Sequence, residues 1–219
     1  VSGADFYAAP HISPDGTHLA WLTWNHPNMP WDNAEVWVGD LTEVGTTDAQ
    51  RVAGGGDETA AEPRWSPDGT LYFVSDRGDW WNLYRWDGER AHAVTAKTGE
   101  FTTPHWVFGI ANYAFLSANR AVCSYQQDGT SHLVDLDLST GMSDDIALPY
   151  VSLASVHADG NRVVFIGGAA DRPSALVVMD GRTRERLELQ VATDLPLDPA
   201  YLSTPEPVTF PTTGNQVAH

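Results

Sequence analysis

The chain has 219 residues, 42% of them hydrophobic, enough to bury a sizeable core at a length suited to one domain. Its 29 acidic and 12 basic residues leave a formal charge of −17, which argues against a nucleic-acid or anionic-membrane partner because both of those surfaces are themselves anionic. No stretch approaches the roughly 18 apolar residues of a membrane-spanning helix, and the single cysteine, Cys123, rules out a disulfide within the chain.

Nine tryptophans, 19 glycines and 14 prolines suit an all-β protein of many short strands joined by tight turns. Val1 to Tyr7 reads as a lead-in without the basic and apolar regions of a secretion leader, so a cytoplasmic location and a natural start upstream of Val1 are the expectations. Pro10-His11-Ile12-Ser13-Pro14-Asp15-Gly16 is a turn: proline presets φ, aspartate bonds its own backbone and glycine takes positive φ. Leu19–Trp24 is then a strand, Asn25–Asn33 a loop with two prolines, and Glu35–Leu41 an alternating strand. Gln50–Ala53 is a fourth strand before Gly54-Gly55-Gly56.

The same order returns. Ser66-Pro67-Asp68-Gly69 lies 53 residues after the first Ser-Pro-Asp-Gly, and is followed by strands at Leu71–Ser75, Trp81–Trp86 and Ala91–Thr95. A third unit starts near Phe101, where Pro104-His105-Trp106 matches Pro63-Arg64-Trp65 at a spacing of 41 residues. Its strands are expected at Tyr113–Ser117, Ala121–Gln126 and His132–Leu138. In the fourth unit His157-Ala158-Asp159-Gly160 is a worn copy of the turn, followed by strands at Arg162–Gly167, Ser174–Met179 and Arg186–Val191. Periods of 41 to 53 residues with about four strands each are the signature of β-propeller blades. We therefore expect an all-β propeller of about four four-stranded blades over 1–57, 58–99, 100–149 and 150–193, forming part of a seven- or eight-bladed ring. Residues 194–219, rich in proline, read as a linker and a hinge strand. A partial ring leaves apolar faces on its end blades, so self-association through them is expected.

The chemistry-bearing patterns are sparse. No Gly-x-Ser-x-Gly elbow is present, and Ser13 and Ser66 stand in turns, so no catalytic residue is assigned. The eight histidines show no zinc spacing, the three-glycine run lacks the Lys-Ser/Thr of a phosphate loop, and Asp76-Arg77-Gly78-Asp79 is too short for a calcium loop. No metal and no cofactor is expected. Two loops stand out, Asn25–Asn33 and Asp76–Trp80, because both join the second and third strands of their units and so open on one face of the ring. Their candidate recognition residues are His26, Trp31 and Asp32 in one, and Asp76, Arg77 and Trp80 in the other. Local turn-making and packing account for the same residues.

Ser-Pro-Asp-Gly before an apolar strand resembles the repeats of TolB-like propellers. Asp5–Pro10, Trp24–Asp32 and Ser75–Tyr84 are more specific and resemble the propeller of the prolyl oligopeptidase, acylaminoacyl peptidase and dipeptidyl aminopeptidase family of serine peptidases. The tail Glu206–Thr212 resembles the hinge strand that leads into that family's α/β-hydrolase domain. The resemblance implies a non-catalytic propeller fragment that gates short-peptide access and docks on a hydrolase domain of the same parent chain, where the Ser-Asp-His triad would reside. This chain lacks that triad, and it shows no Glu-Glu pair of the kind that binds a substrate N-terminus in some subfamilies. A stand-alone TolB-like binding propeller is the alternative. A propeller lactonase or glycosidase would need a metal or paired carboxylates in the channel.

Overall fold

The structure is a computed structural model describing residues 1–193, 198–206 and 208–218. It contains four antiparallel sheets of four strands, each a meander in which every strand pairs with the next in sequence. The first holds β1 (Phe6–Ile12), β2 (His18–Trp24), β3 (Glu35–Thr42) and β4 (Gly45–Gly54). The second holds β5 (Ala60–Trp65), β6 (Leu71–Ser75), β7 (Asn82–Trp86) and β8 (Ala91–Ala93). The third holds β9 (Tyr113–Ser117), β10 (Arg120–Gln127), β11 (Thr130–Asp137) and β12 (Ser143–Ile146), and the fourth β13 (Ser152–Asp159), β14 (Arg162–Ala169), β15 (Arg172–Asp180) and β16 (Arg186–Val191). A short hairpin of β17 (Phe210–Pro211) and β18 (Val217–Ala218) follows. Among the described residues there is no α-helix.

Period-two patterning decides which face each strand buries. Val36 and Val38 of β3 point into the first interface, while Trp37 between them faces the other way and donates its indole N–H to Glu35 Oε2 at 2.9 Å. Three apolar layers join the four sheets. Leu22, Val36 and Val38 meet Leu71 and Phe73; Tyr72, Val74 and Leu83 meet Tyr113, Cys123 and Val134; Val122 and Leu133 meet Val163, Phe165 and Val177. Cys123 is a buried small hydrophobe whose thiol is pushed far up by burial. Four sheets with three such layers make a partial propeller, and the fourth sheet leaves Ile166, Leu176 and Leu187 exposed on its outer face.

The Ser-Pro-Asp-Gly turns are built as their chemistry dictates. Ser13 Oγ–H and Thr17 N–H donate to Asp15 Oδ1 at 2.6 and 3.0 Å, and Gly16 takes φ +75°. These bonds, Ser13's first, pull the Asp15 carboxyl down to about 2. Asp68 repeats the arrangement with Ser66.

Three expectations change. The segments read as lead-in or turn before each repeat are strands: β1, β5 and β13 run along the inner edge of their sheets. Each carries a bulge, at Ala8/His11, Ala61/Arg64 and Ala154/His157, with one residue at positive φ: Ala9 (+46°), Glu62 (+49°) and Ser155 (+55°). A bulge inserts an extra residue and so breaks the alternation by which a strand is recognised. Second, Pro104-His105-Trp106 is not the third unit's copy of Pro63-Arg64-Trp65. It lies in the loop before β9, and β9 takes the inner position. Third, Val208 and Thr209 are not strand; pairing begins at Phe210. Of the linker and hinge expected over residues 194–219, residues 194–197, Pro207 and His219 lie outside the described residues.

Candidate ligand-binding cavity

The inner strands β1 and β5, the 25–34 loop between β2 and β3, and the 101–112 loop enclose a cavity of about 710 Å³. Its walls are mostly apolar: Phe6, Leu22, Trp24, Met29, Pro30, Trp31, Trp106, Val107 and Phe108. Trp31 and Trp106 bring the two loops together, with ring centroids 4.2 Å apart. Trp106, Val107 and Phe108 are 72%, 67% and 82% exposed. Large apolar side chains held in water beside a concave apolar wall are the usual mark of a surface that meets a ligand or partner.

One carboxylate stands among the cavity's lining residues, Glu62. Its side chain is 1% exposed, and the β5 bulge sets its position. Glu62 Oε1 accepts the Thr102 hydroxyl at 2.5 Å and Asn112 Nδ2–H at 2.6 Å; Oε2 accepts the Asn112 backbone N–H at 2.8 Å. The Glu62 carbonyl accepts the Tyr113 hydroxyl at 2.6 Å. Burial, the largest cause, pushes that phenol well above its ordinary value. Arg64 Nε lies 3.9 Å from Glu62 Oε2, and His105 Nε2 lies 4.0 Å from Oε1. Burial draws His105 below its ordinary value, with Arg64 adding to that and Glu62 opposing it. His11 is lowered in the same way, first by burial and then by Arg64. Glu62 is a solvent-excluded anion satisfied by neutral donors. A paired-carboxylate glycosidase needs a second carboxyl group, and none is among the lining residues.

The structure separates the six sequence candidates. His26 and Trp31 line the cavity. Asp32 holds its own loop, accepting the Met29 N–H at 2.9 Å. Asp76 prolongs the β5–β6 pairing of the second sheet by accepting the Thr59 N–H at 2.7 Å; its carboxyl is raised, chiefly by burial. Arg77 is committed to Glu58 through two bonds of 2.9 and 2.7 Å and lies 5.1 Å from the centre of the Tyr84 ring. Trp80 is partly exposed and its carbonyl accepts Asn82 Nδ2–H at 3.3 Å. None of these last four lines the cavity. The residues not singled out from sequence are Glu62, Arg64, His105 and Trp106. Glu62 had a readable signal: it is a lone charge in the apolar run Ala60-Ala61-Glu62-Pro63. Among the described residues no group of three or more His, Cys, Asp or Glu side chains is placed to hold a metal ion.

No family model matches the chain. Solved structures do. A puromycin-hydrolysing peptidase of Mycobacterium tuberculosis superposes with TM-score 0.86 at 38% identity, over 93% of this chain and 32% of that one. A puromycin hydrolase superposes with TM-score 0.89 at 32% identity, over 98% and 33%. The chain therefore shares its fold with a region of these puromycin-hydrolysing enzymes, and a prolyl endopeptidase, at 17% identity and TM-score 0.65, shares the fold alone. An uncharacterized peptidase of Bacillus subtilis, YuxL, is 30% identical over 142 residues, 62% of this chain and 18% of that protein. TolB from Acinetobacter baumannii, at 22% identity and TM-score 0.58, shares the fold alone. The chain spans about a third of the length of the solved peptidases and under a fifth of the curated relative.

Proposed function

We propose that this chain is the non-catalytic propeller of an oligopeptidase- or aminopeptidase-type serine peptidase. In that role it admits short peptides, holds them in the 710 Å³ cavity, and docks on an α/β-hydrolase domain that supplies the Ser-Asp-His triad. The observation that carries this reading is the cavity itself: apolar, open between two aromatic loops, and floored by a buried polar cluster. The puromycin-hydrolysing peptidase at 38% identity and the puromycin hydrolase at 32% support it. Exposed Trp106, Val107 and Phe108 then serve as the rim against which peptide or hydrolase domain packs.

The test is direct because Trp24, Trp31 and Trp106 line the cavity. Short apolar peptides should quench or shift the intrinsic fluorescence of the 219-residue chain saturably, and Trp106→Ala should weaken that binding. The chain should show no peptide or ester turnover. Turnover abolished by a serine-directed inhibitor, or the absence of saturable peptide binding, would overturn the reading. We also propose that the isolated chain pairs end to end, the outer face of the fourth sheet against the first sheet of a second copy. Residues 150–193 balance five arginines against five acids, whereas residues 1–57 carry eight acids and one arginine, so the fourth unit brings no net negative charge to repel the acidic first unit.

A further inference from the structure

A second cavity of about 310 Å³ lies on the Ser-Pro-Asp-Gly side of the inner strands. Three residues line both cavities: His11 of β1, Arg64 of β5 and His157 of β13. They sit where the two spaces meet, and each comes from a different sheet. In a chain of charge −17, this meeting point is lined by a guanidinium and two imidazoles.

Arg64 is under-used. Its Nη2 reaches the Ile110 carbonyl at 3.3 Å, and its buried Nε has no acceptor. Glu62 stands 3.9 Å from that Nε, beyond hydrogen-bond range, and its oxygens are already taken by Thr102 and Asn112. The carboxylate therefore offsets the cost of half-burying the guanidinium without occupying its donor fork. The Tyr113 ring, 5.5 Å from Arg64 Cζ, supports it from another side. A planar five-donor cation with open donors, facing an apolar cavity, matches one ligand group above others: a carboxylate, which takes two parallel N–H bonds. An ammonium group fits less well, because the one anion here is already satisfied.

We infer that Arg64, flanked by His11 and His157, binds the carboxylate of a ligand whose apolar body fills the larger cavity. Resting on the peptide-binding reading above, that ligand is a short apolar peptide with a free C-terminal carboxyl group. The carboxylate claim can be tested without any peptide. In the 219-residue chain, the Arg64 Nε–H resonance is followed during titration with 3-phenylpropionate and with its amide. The acid should shift the resonance saturably, and the amide should bind about tenfold more weakly or worse, the usual loss when a charge-assisted bond is removed. Arg64→Gln should erase the acid's advantage and Arg64→Lys restore part of it. His157→Asp, at an exposed position, should weaken the acid and leave the amide unchanged, which covers the case in which the Arg64 variants fail to fold. Equal binding of acid and amide, or no shift with the acid, overturns the carboxylate site. A parallel titration with an apolar dipeptide and its C-terminal amide separates the two claims. If phenylpropionate binds and neither dipeptide does, the anion site stands and the peptide reading falls.

Discussion

Removal of the Glu62 carboxylate should destabilise the propeller more than any substitution on the exposed parts of the 25–34 or 76–81 loops. In Glu62→Ala, the Asn112 backbone N–H loses its acceptor at a residue that is 7% exposed. The other two donors have partial replacements: Asn112 Nδ2 keeps Thr102 Oγ1 at 3.2 Å, and the Thr102 hydroxyl can turn to the Thr103 carbonyl at 3.4 Å. One buried donor left fully unpaired costs about 1–3 kcal/mol. Arg64 also loses the anion that offsets its burial, and breaking a buried charged contact commonly brings the total to about 3–5 kcal/mol. We take about 3 kcal/mol, because Arg64 is 3.9 Å away and its side chain keeps 19% exposure. Glu62→Gln preserves shape and one acceptor oxygen but turns an amide N–H₂ toward existing donors, so it should fall between the parent and the alanine variant. Urea unfolding followed by tryptophan fluorescence gives the order directly. An alanine variant within about 0.5 kcal/mol of the parent, the scale of ordinary surface substitutions, would refute the claim that the cluster holds β5 to the 101–112 loop, as would a glutamine variant less stable than alanine.

His105 supplies a pH test. Burial lowers its folded-state value below the ordinary 6.5, so the unfolded chain takes up the proton first. The stability tied to its neutral form is full above about pH 6.5 and declines as pH falls below it, levelling off under the folded value. The parent should lose stability relative to His105→Gln between pH 7.5 and 5.5, measured as a difference in urea midpoints; a gap that narrows in the parent's favour on acidification would contradict the assignment. At the open end of the fold, Ile166→Glu and Leu176→Glu replace side chains that are 41% and 39% exposed, so each should change stability by less than about 1 kcal/mol. Each should lower the concentration-dependent association of the chain in sedimentation velocity; a parent that stays monomeric at every concentration would remove the proposed pairing.

The parts of this fold that were legible in the sequence share one property: their local chemistry agrees with their final surroundings. Tyr113–Ser117 and Arg186–Val191 are compact β-forming runs and are strands with those bounds. The two Ser-Pro-Asp-Gly turns close through their own side chains, so nothing distant is needed to form them. The inner strands β1, β5 and β13 were illegible for the opposite reason. A bulge places an extra residue out of phase, and in β5 it falls on a charged residue, so Ala60–Trp65 reads as the end of a loop. The 101–112 loop misled because Pro-His-Trp copies a three-residue pattern without copying its hydrogen-bond partners. The cavity joins residues 26–31, 62–64 and 105–110, three segments whose proximity is a property of sheet packing, and no local signal states it.

The bulges also explain where the polar centre lies. In β1, β5 and β13 the residue at positive φ is Ala9, Glu62 or Ser155, and two positions later come His11, Arg64 and His157, the three residues shared by both cavities. Non-glycine residues held at positive φ commonly cost about 1–3 kcal/mol each, and three sheets carry that cost at the same place. The third sheet lacks this bulge; Ala114 of β9 lines the smaller cavity beside Arg64 and leaves room there. A backbone irregularity repeated in three of four blades turns what would be an alternating inner strand into one that presents an additional side chain to the axis. The repeat supplies the same backbone device three times, and the differing side chains placed on it, one guanidinium and two imidazoles, together with the Ala114 methyl group in the blade that lacks it, make a directional site out of a nearly symmetric scaffold.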